Sequence, residues 1–249
     1  QTRAQIVAIQ RRRNPLLARG DRHLPGDTNP ELPPIDLGPI TPGAPGTPDV
    51  ERPEPAQPFR GTAARSLIGK CIVVDAGHGG HDQGAPGKMS KEKNLTLQMC
   101  NALKQELEAR GARVVMTRST DDYVSLQQRV DIANGCGADL FISIHLNAMP
   151  RPNMQSGSET YFHTPQSVRL ARTLHNRLVG TVQGRDGGIR NRRFYVVRNT
   201  SMPSVLLEVG YINSDRDEAF LVQDDFQDKL ARNLALGVLE YFGSDSASN

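Results

Sequence analysis

A chain of 249 residues, 37% of them hydrophobic, is long enough to form one large domain with its own core. The net charge of +3, from 30 basic and 27 acidic residues, is too balanced to indicate a nucleic acid partner. No run approaches the roughly 18 to 20 apolar residues that span a bilayer, and no charged-then-apolar leader follows Gln1. We therefore expect a soluble protein in a mature or trimmed form, and a monomer.

The first part of the chain differs in composition from the rest, because twelve of the 17 prolines fall before residue 60. Residues 21–69 lack apolar periodicity and predict a Pro/Gly-rich linker. In residues 1–20, the alternating run from Ala4 to Ile9 is compatible either with the last strand of an upstream domain or with a basic tail.

Residues 70–243 alternate apolar strands with amphipathic helices, which predicts one α/β domain with a largely parallel sheet, and residues 244–249 form a tail. In chain order, we predict strand CIVVDA, a helix from Asn94 to Arg110, strand ARVVMTR, helix SLQQRVDIANG, strands ADLFISIH and SETYFH, a helix from Ser167 to Val182, strands FYVV and SVLLEVG, and a last helix from Phe226 to Tyr241.

The three cysteines, Cys71, Cys100 and Cys136, are odd in number and lack a metal-type spacing. We expect ordinary buried thiols, although one pair could bridge in an oxidising compartment.

Four polar side chains stand at or after the ends of predicted strands or at a helix entrance: His78, Glu92, His145 and Glu208. Ligands in α/β folds bind at the carboxyl ends of the strands. Each residue also has an ordinary explanation taken alone. The histidines could be satisfied core residues, and Glu92 could simply favour a helix N-terminus. Glu208 is harder to explain in that way, because a carboxylate in an apolar strand needs a metal or hydrogen bonds to compensate it.

Together the four residues match the composition of a catalytic zinc site, in which two imidazoles and a carboxylate bind the metal and a further carboxylate acts as the base. Such a site needs no serine or cysteine nucleophile.

The chain resembles the zinc-dependent N-acetylmuramoyl-L-alanine amidases of the type 3 (AmiC-like) class over about residues 70 to 243. The resemblance lies in six motifs in the family's order: VVDAGHGGHDQGAPG, KEKNLTL, TRSTDDYVSLQQRVDIAN, ADLFISIHLNA, SGSETYF and PSVLLEVGYINS. It implies a six-stranded, mainly parallel sheet flanked by helices. It also implies that His78, Glu92 and His145 bind Zn²⁺ and that Glu208 is the catalytic carboxylate.

By the same resemblance, the expected function is peptidoglycan hydrolysis between N-acetylmuramic acid and L-alanine, in the periplasm or cell wall, during wall remodelling and daughter cell separation. Two features depart from the family. Only LNAMPRPNMQ separates His145 from SGSETYF, where some division-associated relatives carry a helical insertion over the zinc, and VGY replaces the frequent GF after the catalytic glutamate.

Other residues carry weaker predictions. Asp75 could orient the His78 loop from outside the ligand set or could simply stabilise a turn. Arg190 and Arg192 belong to the basic segment RDGGIRNRRFYVVR, which could bind substrate carboxylates or be a solvated loop. Among the remaining histidines, we expect His23 and His175 to be solvated and His81 and His163 to be inessential.

Two other functions remain open on the residues alone. A zinc peptidase acting within the stem peptide would share every metal ligand, and only the resemblance favours the amidase. A peptidoglycan-binding module without catalysis would not need Glu208.

Overall fold

The computed structural model describes residues 66–182 and 184–245. The predicted N-terminal tail, the linker as far as residue 65, His23 and the last four residues lie outside the described part. The domain boundaries in those regions therefore stay predictions.

Six strands form one sheet. They are β1 (Cys71–Ala76), β2 (Arg113–Met116), β3 (Leu140–Asn147), β4 (Ser158–Phe162), β5 (Asp186–Asn191) and β6 (Ser204–Tyr211). The spatial order is β2-β1-β3-β6-β4-β5. The first four strands in that order run parallel, β4 is antiparallel to β6, and β5 is parallel to β4. The predicted six-stranded, mainly parallel sheet is thus confirmed.

The helices are α1 (Glu92–Glu108), α2 (Leu126–Gly135), α3 (Val168–Val179), α4 (Tyr195–Asn199), α5 (Asp215–Leu221) and α6 (Asp224–Asp245), with a 3₁₀ turn at Pro165–Ser167 before α3. A reciprocal capping box, in which the Ser125 and Gln128 side chains each accept from the other's backbone N–H, fixes the start of α2. Among the described residues, no helix combines the length and apolar character needed to cross a bilayer.

The sheet is buried on both faces because successive side chains of its central strands alternate between two apolar clusters. Ile72, Val74 and Ile142 belong to the larger cluster, which includes residues of α1, α3 and α6. Val73 and Phe141 belong to the smaller cluster, which includes residues of α2 and α4. The smaller cluster stops short of the carboxyl ends of β3 and β6, where His145 and Glu208 lie.

The prediction of a strand at FYVV was wrong, because the segment lies in the short helix α4. Its β-branched residues favour a strand locally, but Val196 and Val197 are buried as part of the smaller cluster, and this packing outweighs propensity. The strand of this region is β5, formed by the preceding glycine-containing residues 186–191, which were not predicted as a strand. Helix α5 was also not predicted.

The prediction that His175 is solvated was wrong as well. Its ring is buried, with Nδ1 3.0 Å from Thr160 Oγ1 and Nε2 2.8 Å from Asp186 Oδ1, because β5 covers this side of α3. All three cysteines are free, with Cys71 and Cys100 buried as expected.

Candidate metal centre

His78 lies two residues beyond β1 in a loop that brings it over the carboxyl end of the sheet. Its backbone is left-handed, with φ 62°, and the preceding Gly77 touches the His145 ring so closely that a Cβ there would lie 2.4 Å from it. Nδ1 of His78 is 2.9 Å from both carboxylate oxygens of Asp82. Asp82 can therefore accept the Nδ1 proton, so that in the neutral ring Nε2 is the nitrogen able to coordinate a cation.

Glu92 is buried at the first turn of α1 and faces both histidines. Its Oε1 lies 3.0 Å from His78 Nε2 and 3.0 Å from His145 Nδ1. The same oxygen accepts the Leu146 N–H at 2.9 Å, and Oε2 accepts the Ala85 N–H at 2.8 Å. The carboxylate is thus fixed by backbone donors from two different loops.

The structure brings together the three residues predicted as metal ligands. One ligand atom from each of His78, Glu92 and His145 lies within 4.8 Å of the others, and the two rings meet edge-to-face with centroids 4.9 Å apart. Two imidazoles and a carboxylate converging on one point are the donor set of a tetrahedral metal site. These residues can therefore hold a metal cation.

The charges of the cluster also favour a cation. Burial opposes protonation of His78, but hydrogen bonds to Asp82 and Glu92 and their negative charges raise the pKa of His78 to about 10. Burial likewise opposes ionisation of Glu92, but hydrogen bonds from His145 and His78 and their positive charges lower its pKa. A positive charge is therefore strongly stabilised between these groups, and a divalent cation can supply it in place of protons.

Glu208 stands beside this cluster on β6. It is the direct β-sheet partner of His145 on β3, so the two side chains project from the same face. Its Oε2 is buried without a hydrogen-bond partner in the described part of the chain. Burial, and then the negative charges of Glu92 and Glu159, raise the pKa of Glu208 well above its ordinary value.

Glu159 is a buried carboxylate that the sequence analysis missed. It is the antiparallel partner of Glu208, so His145, Glu208 and Glu159 form a row across β3, β6 and β4. Its Oε1 is 3.0 Å from Arg190 Nη2, and its Oε2 accepts the Tyr161 hydroxyl. The signal that singled out Glu208, a carboxylate in an apolar strand, was absent here, because the residues next to Glu159 in SETYF are Ser158 and Thr160.

Asp75 is completely buried but does not touch a predicted ligand. It accepts hydrogen bonds at 2.6 Å from Thr117, Ser143 and Arg129. Arg129 in turn donates to the backbone carbonyl of His78 at 2.8 Å. Asp75 therefore supports the His78 loop through an arginine, and the direct contact to the His78 ring comes from Asp82, which the sequence analysis did not single out.

The loop that leads into Glu92 is fixed from α5 by Glu218. This buried carboxylate accepts three successive backbone N–H groups, from Lys88 at 3.0 Å, Met89 at 2.7 Å and Ser90 at 3.2 Å. A Cβ on Gly87 would lie 2.1 Å from Glu218 Oε1, so the close approach requires glycine there. No sequence signal marked Glu218, because an acidic residue in a first helical turn is ordinary.

The two predicted substrate arginines differ in their surroundings. Arg190 on β5 pairs with Glu159, whereas Arg192 is exposed and donates to the neighbouring Asn191 carbonyl. Of the other histidines, His81 is exposed and stacks on Tyr123 with ring centroids 4.1 Å apart, and Nδ1 of His163 is buried without a partner among the described residues.

Comparisons with known proteins give matches over the described domain. The sequence model of a family described as N-acetylmuramoyl-L-alanine amidase matches residues 72–240. N-acetylmuramoyl-L-alanine amidase LytC of Bacillus subtilis is 38% identical over 180 residues, which cover 71% of this chain but 36% of LytC.

Solved structures give the same result. The catalytic domain of CwlV, an N-acetylmuramoyl-L-alanine amidase from Bacillus (Paenibacillus) polymyxa var. colistinus, matches with a TM-score of 0.68 and 38% identity, covering 70% of this chain and 98% of that one. The amidase AmiC2 of Nostoc punctiforme matches with a TM-score of 0.67 and 36% identity, covering 70% of this chain and 97% of that one.

Proposed function

Because the chain belongs to the N-acetylmuramoyl-L-alanine amidase family, we propose that it is a zinc-dependent hydrolase that cuts peptidoglycan between N-acetylmuramic acid and L-alanine. The observation that carries the proposal is the row in which Glu208 stands next to the cluster of His78, Glu92 and His145. The named cell wall amidases among its relatives support action in the cell wall, in the periplasm or after secretion.

The three clustered residues would hold the zinc ion. Bound there, zinc would supply a Lewis acid for the scissile carbonyl and would lower the pKa of water toward roughly 7. His78 would bind through Nε2 because Asp82 holds the proton on Nδ1. The backbone N–H groups of Leu146 and Ala85 would keep the Glu92 carboxylate in place.

Glu208 would move the proton. Burial is the main cause that raises the pKa of Glu208, and a buried carboxylate beside the zinc site is suited both to accept a proton from the attacking water and to return it to the leaving nitrogen of L-alanine. Its lack of a partner on Oε2 leaves that oxygen available for the transfer. A module that only binds peptidoglycan would not require an uncompensated carboxylate at this position.

Product analysis tests the proposal. Purified peptidoglycan digested by the zinc-loaded protein should yield a free lactyl carboxyl group on N-acetylmuramic acid and a new L-alanine amino terminus, and excess chelator should abolish both with loss of zinc. Cleavage within the peptide, with L-alanine still attached to the sugar, would instead identify the peptidase. Unchanged hydrolysis after verified zinc removal would refute the metal mechanism.

A further inference from the structure

Arg190 is held in a fixed orientation at the edge of the candidate site. Its Nε and Nη2 both donate to the Gly187 carbonyl, at 3.3 and 3.1 Å, and Nη2 is also 3.0 Å from Glu159 Oε1. Glu159 is itself anchored by Tyr161 and by Asn147 Nδ2 at 3.4 Å. The side chain of Arg190 is nevertheless 43% exposed. Its guanidinium is therefore both oriented and accessible.

A guanidinium has five N–H donors, and these contacts use three of them. The two donors on Nη1 have no acceptor within the described part of the chain. Both donors belong to one nitrogen of a planar, permanently charged group, and such a group can bind a carboxylate by charge-assisted hydrogen bonds.

Arg190 also lies on the face of the sheet that carries Glu208. It is the β-sheet partner of Tyr161, which shares a face of β4 with Glu159 and hence with Glu208 on β6. Two strand spacings of about 4.8 Å separate the backbones of β6 and β5, so they lie roughly 10 Å apart. A distance of this size equals two or three residues of an extended peptide. The arginine side chain spans part of it, so the bound carboxylate would lie closer to Glu208 than that.

The local charge remains positive. Asp186, the acidic residue nearest in sequence, is engaged by His175 and by the Gly188 N–H at 2.8 Å, and its pKa is lowered. It is therefore not the counter-ion of Arg190. Arg185, Arg192 and Arg193 are exposed on the same segment and add to the positive potential.

We propose that Arg190, positioned by Glu159, binds a free carboxylate of the stem peptide close to the scissile amide, so that the protein distinguishes stem peptides with a free carboxylate from those in which it is amidated. The inference rests on the proposed amidase function, since it assigns a ligand to the edge of the same site. Glu159 is a positioning residue in this arrangement.

The test compares two synthetic muropeptides that differ only in whether the carboxylate of the second stem residue is free or a carboxamide. The wild-type protein should cut the free form with a kcat/KM about tenfold higher, because a charged hydrogen bond is lost in the other. Arg190→Ala should bring the ratio close to one, chiefly by raising KM for the free form. Arg190→Lys should restore part of the preference, and Arg193→Ala, on the same segment, should retain it.

A binding measurement separates this proposal from the proposed function. Titration calorimetry of both muropeptides with the zinc-loaded Glu208→Gln protein should show the same tenfold preference, whether or not the wild-type protein hydrolyses either peptide. Equal affinity for the two peptides would overturn the carboxylate site while leaving the amidase intact. A preference that survives in a folded Arg190→Ala variant would overturn it as well.

Discussion

Glu218→Gln tests whether the metal centre depends on a carboxylate more than 100 positions along the chain from the loop that it holds. The substitution preserves the size of a buried side chain and removes its charge. The three N–H groups of Lys88, Met89 and Ser90 all point at this carboxylate. In glutamine, one oxygen is replaced by an amide nitrogen that cannot accept them.

The size of the effect follows from these three contacts. Hydrogen bonds to a charged acceptor contribute about 1.5 to 3 kcal/mol each, and neutral ones about 1 kcal/mol. The amide oxygen can keep one or two weakened bonds, and Lys88 and Met89 are exposed residues in a loop that can shift toward water. We therefore expect the free energy of unfolding to fall by about 2 to 4 kcal/mol, well below the sum of three charged bonds.

The affinity of the site for zinc should fall as the loop becomes less ordered. Ser90 lies two residues before Glu92, so a displacement of this loop would also displace the Glu92 carboxylate. Changes to groups that orient a ligand from outside typically cost 10- to 100-fold in metal affinity, and we expect the lower end because Glu218 does not touch Glu92 itself. Zinc affinity is measured by competition with a chelating dye, and loop opening by amide hydrogen exchange at residues 88 to 90.

Glu108→Gln is the matched control. It also neutralises a glutamate on a helix, but its partner is the half-exposed Lys104 one turn away, so the change in stability should stay below about 0.5 kcal/mol. The reasoning fails if Glu218→Gln unfolds at the same urea concentration as the wild type and retains the amide protection of residues 88 to 90.

Three further predictions concern catalysis, the N-terminal region and acid stability. Glu208→Gln should lower kcat by about 10²- to 10⁴-fold with zinc still bound at full stoichiometry, whereas His78→Ala should lose the metal; zinc analysis beside kinetics separates the two. Removal of residues 1 to 60 should leave hydrolysis of soluble muropeptides unchanged, and a folded but inactive truncation would assign that segment a catalytic role. Burial raises the pKa of Asp75, but Arg129 and the hydroxyl donors outweigh it and lower the pKa overall. Its stabilising contribution should therefore be complete above the unfolded carboxyl pKa of about 4 and be lost as pH falls through the lower folded value, and acid unfolding curves of Asp75→Asn should lack that component.

The sheet could be predicted because its signals are local. Strands such as ADLFISIH are apolar on both faces, and the helices between them repeat apolar residues every three or four positions, so the α/β pattern is visible without tertiary knowledge. FYVV failed by the same method, because a short apolar run is typical of a buried helix as well as of a strand, and Val196 and Val197 are buried in a helix. Burial alone could not decide its backbone conformation.

The cluster of His78, Glu92 and His145 could be predicted because these side chains stand at strand ends and at a helix entrance, where ligands bind in α/β folds. The residues that support the cluster through hydrogen bonds could not be predicted, since their partners are distant in sequence. Glu218 contacts Lys88 across 130 positions, and Arg129 contacts Asp75 across 54. Glu159 could not be found by the signal that marked Glu208, because its strand SETYF is largely polar and a carboxylate there is unremarkable until its burial is known.

The hydrogen bonds of the buried carboxylates distinguish those that stabilise the structure from the one proposed to transfer a proton. Asp75 and Glu218 accept three bonds each, and Glu159 is held by an arginine, a tyrosine and an asparagine. A carboxylate that accepts several hydrogen bonds is held in one orientation and is costly to move. Glu208 lies beside Glu159, and its buried Oε2 accepts no hydrogen bond from the described residues, at a position where burial and neighbouring negative charges oppose its ionisation. Asp217 also has an unpartnered oxygen, but its other oxygen is fixed by the N–H groups of Gly157 and Tyr211, both at 2.9 Å. Glu208 is therefore the carboxylate beside the cluster that can gain and lose a proton without breaking the structure around it, which is the property that proton transfer to a leaving nitrogen requires.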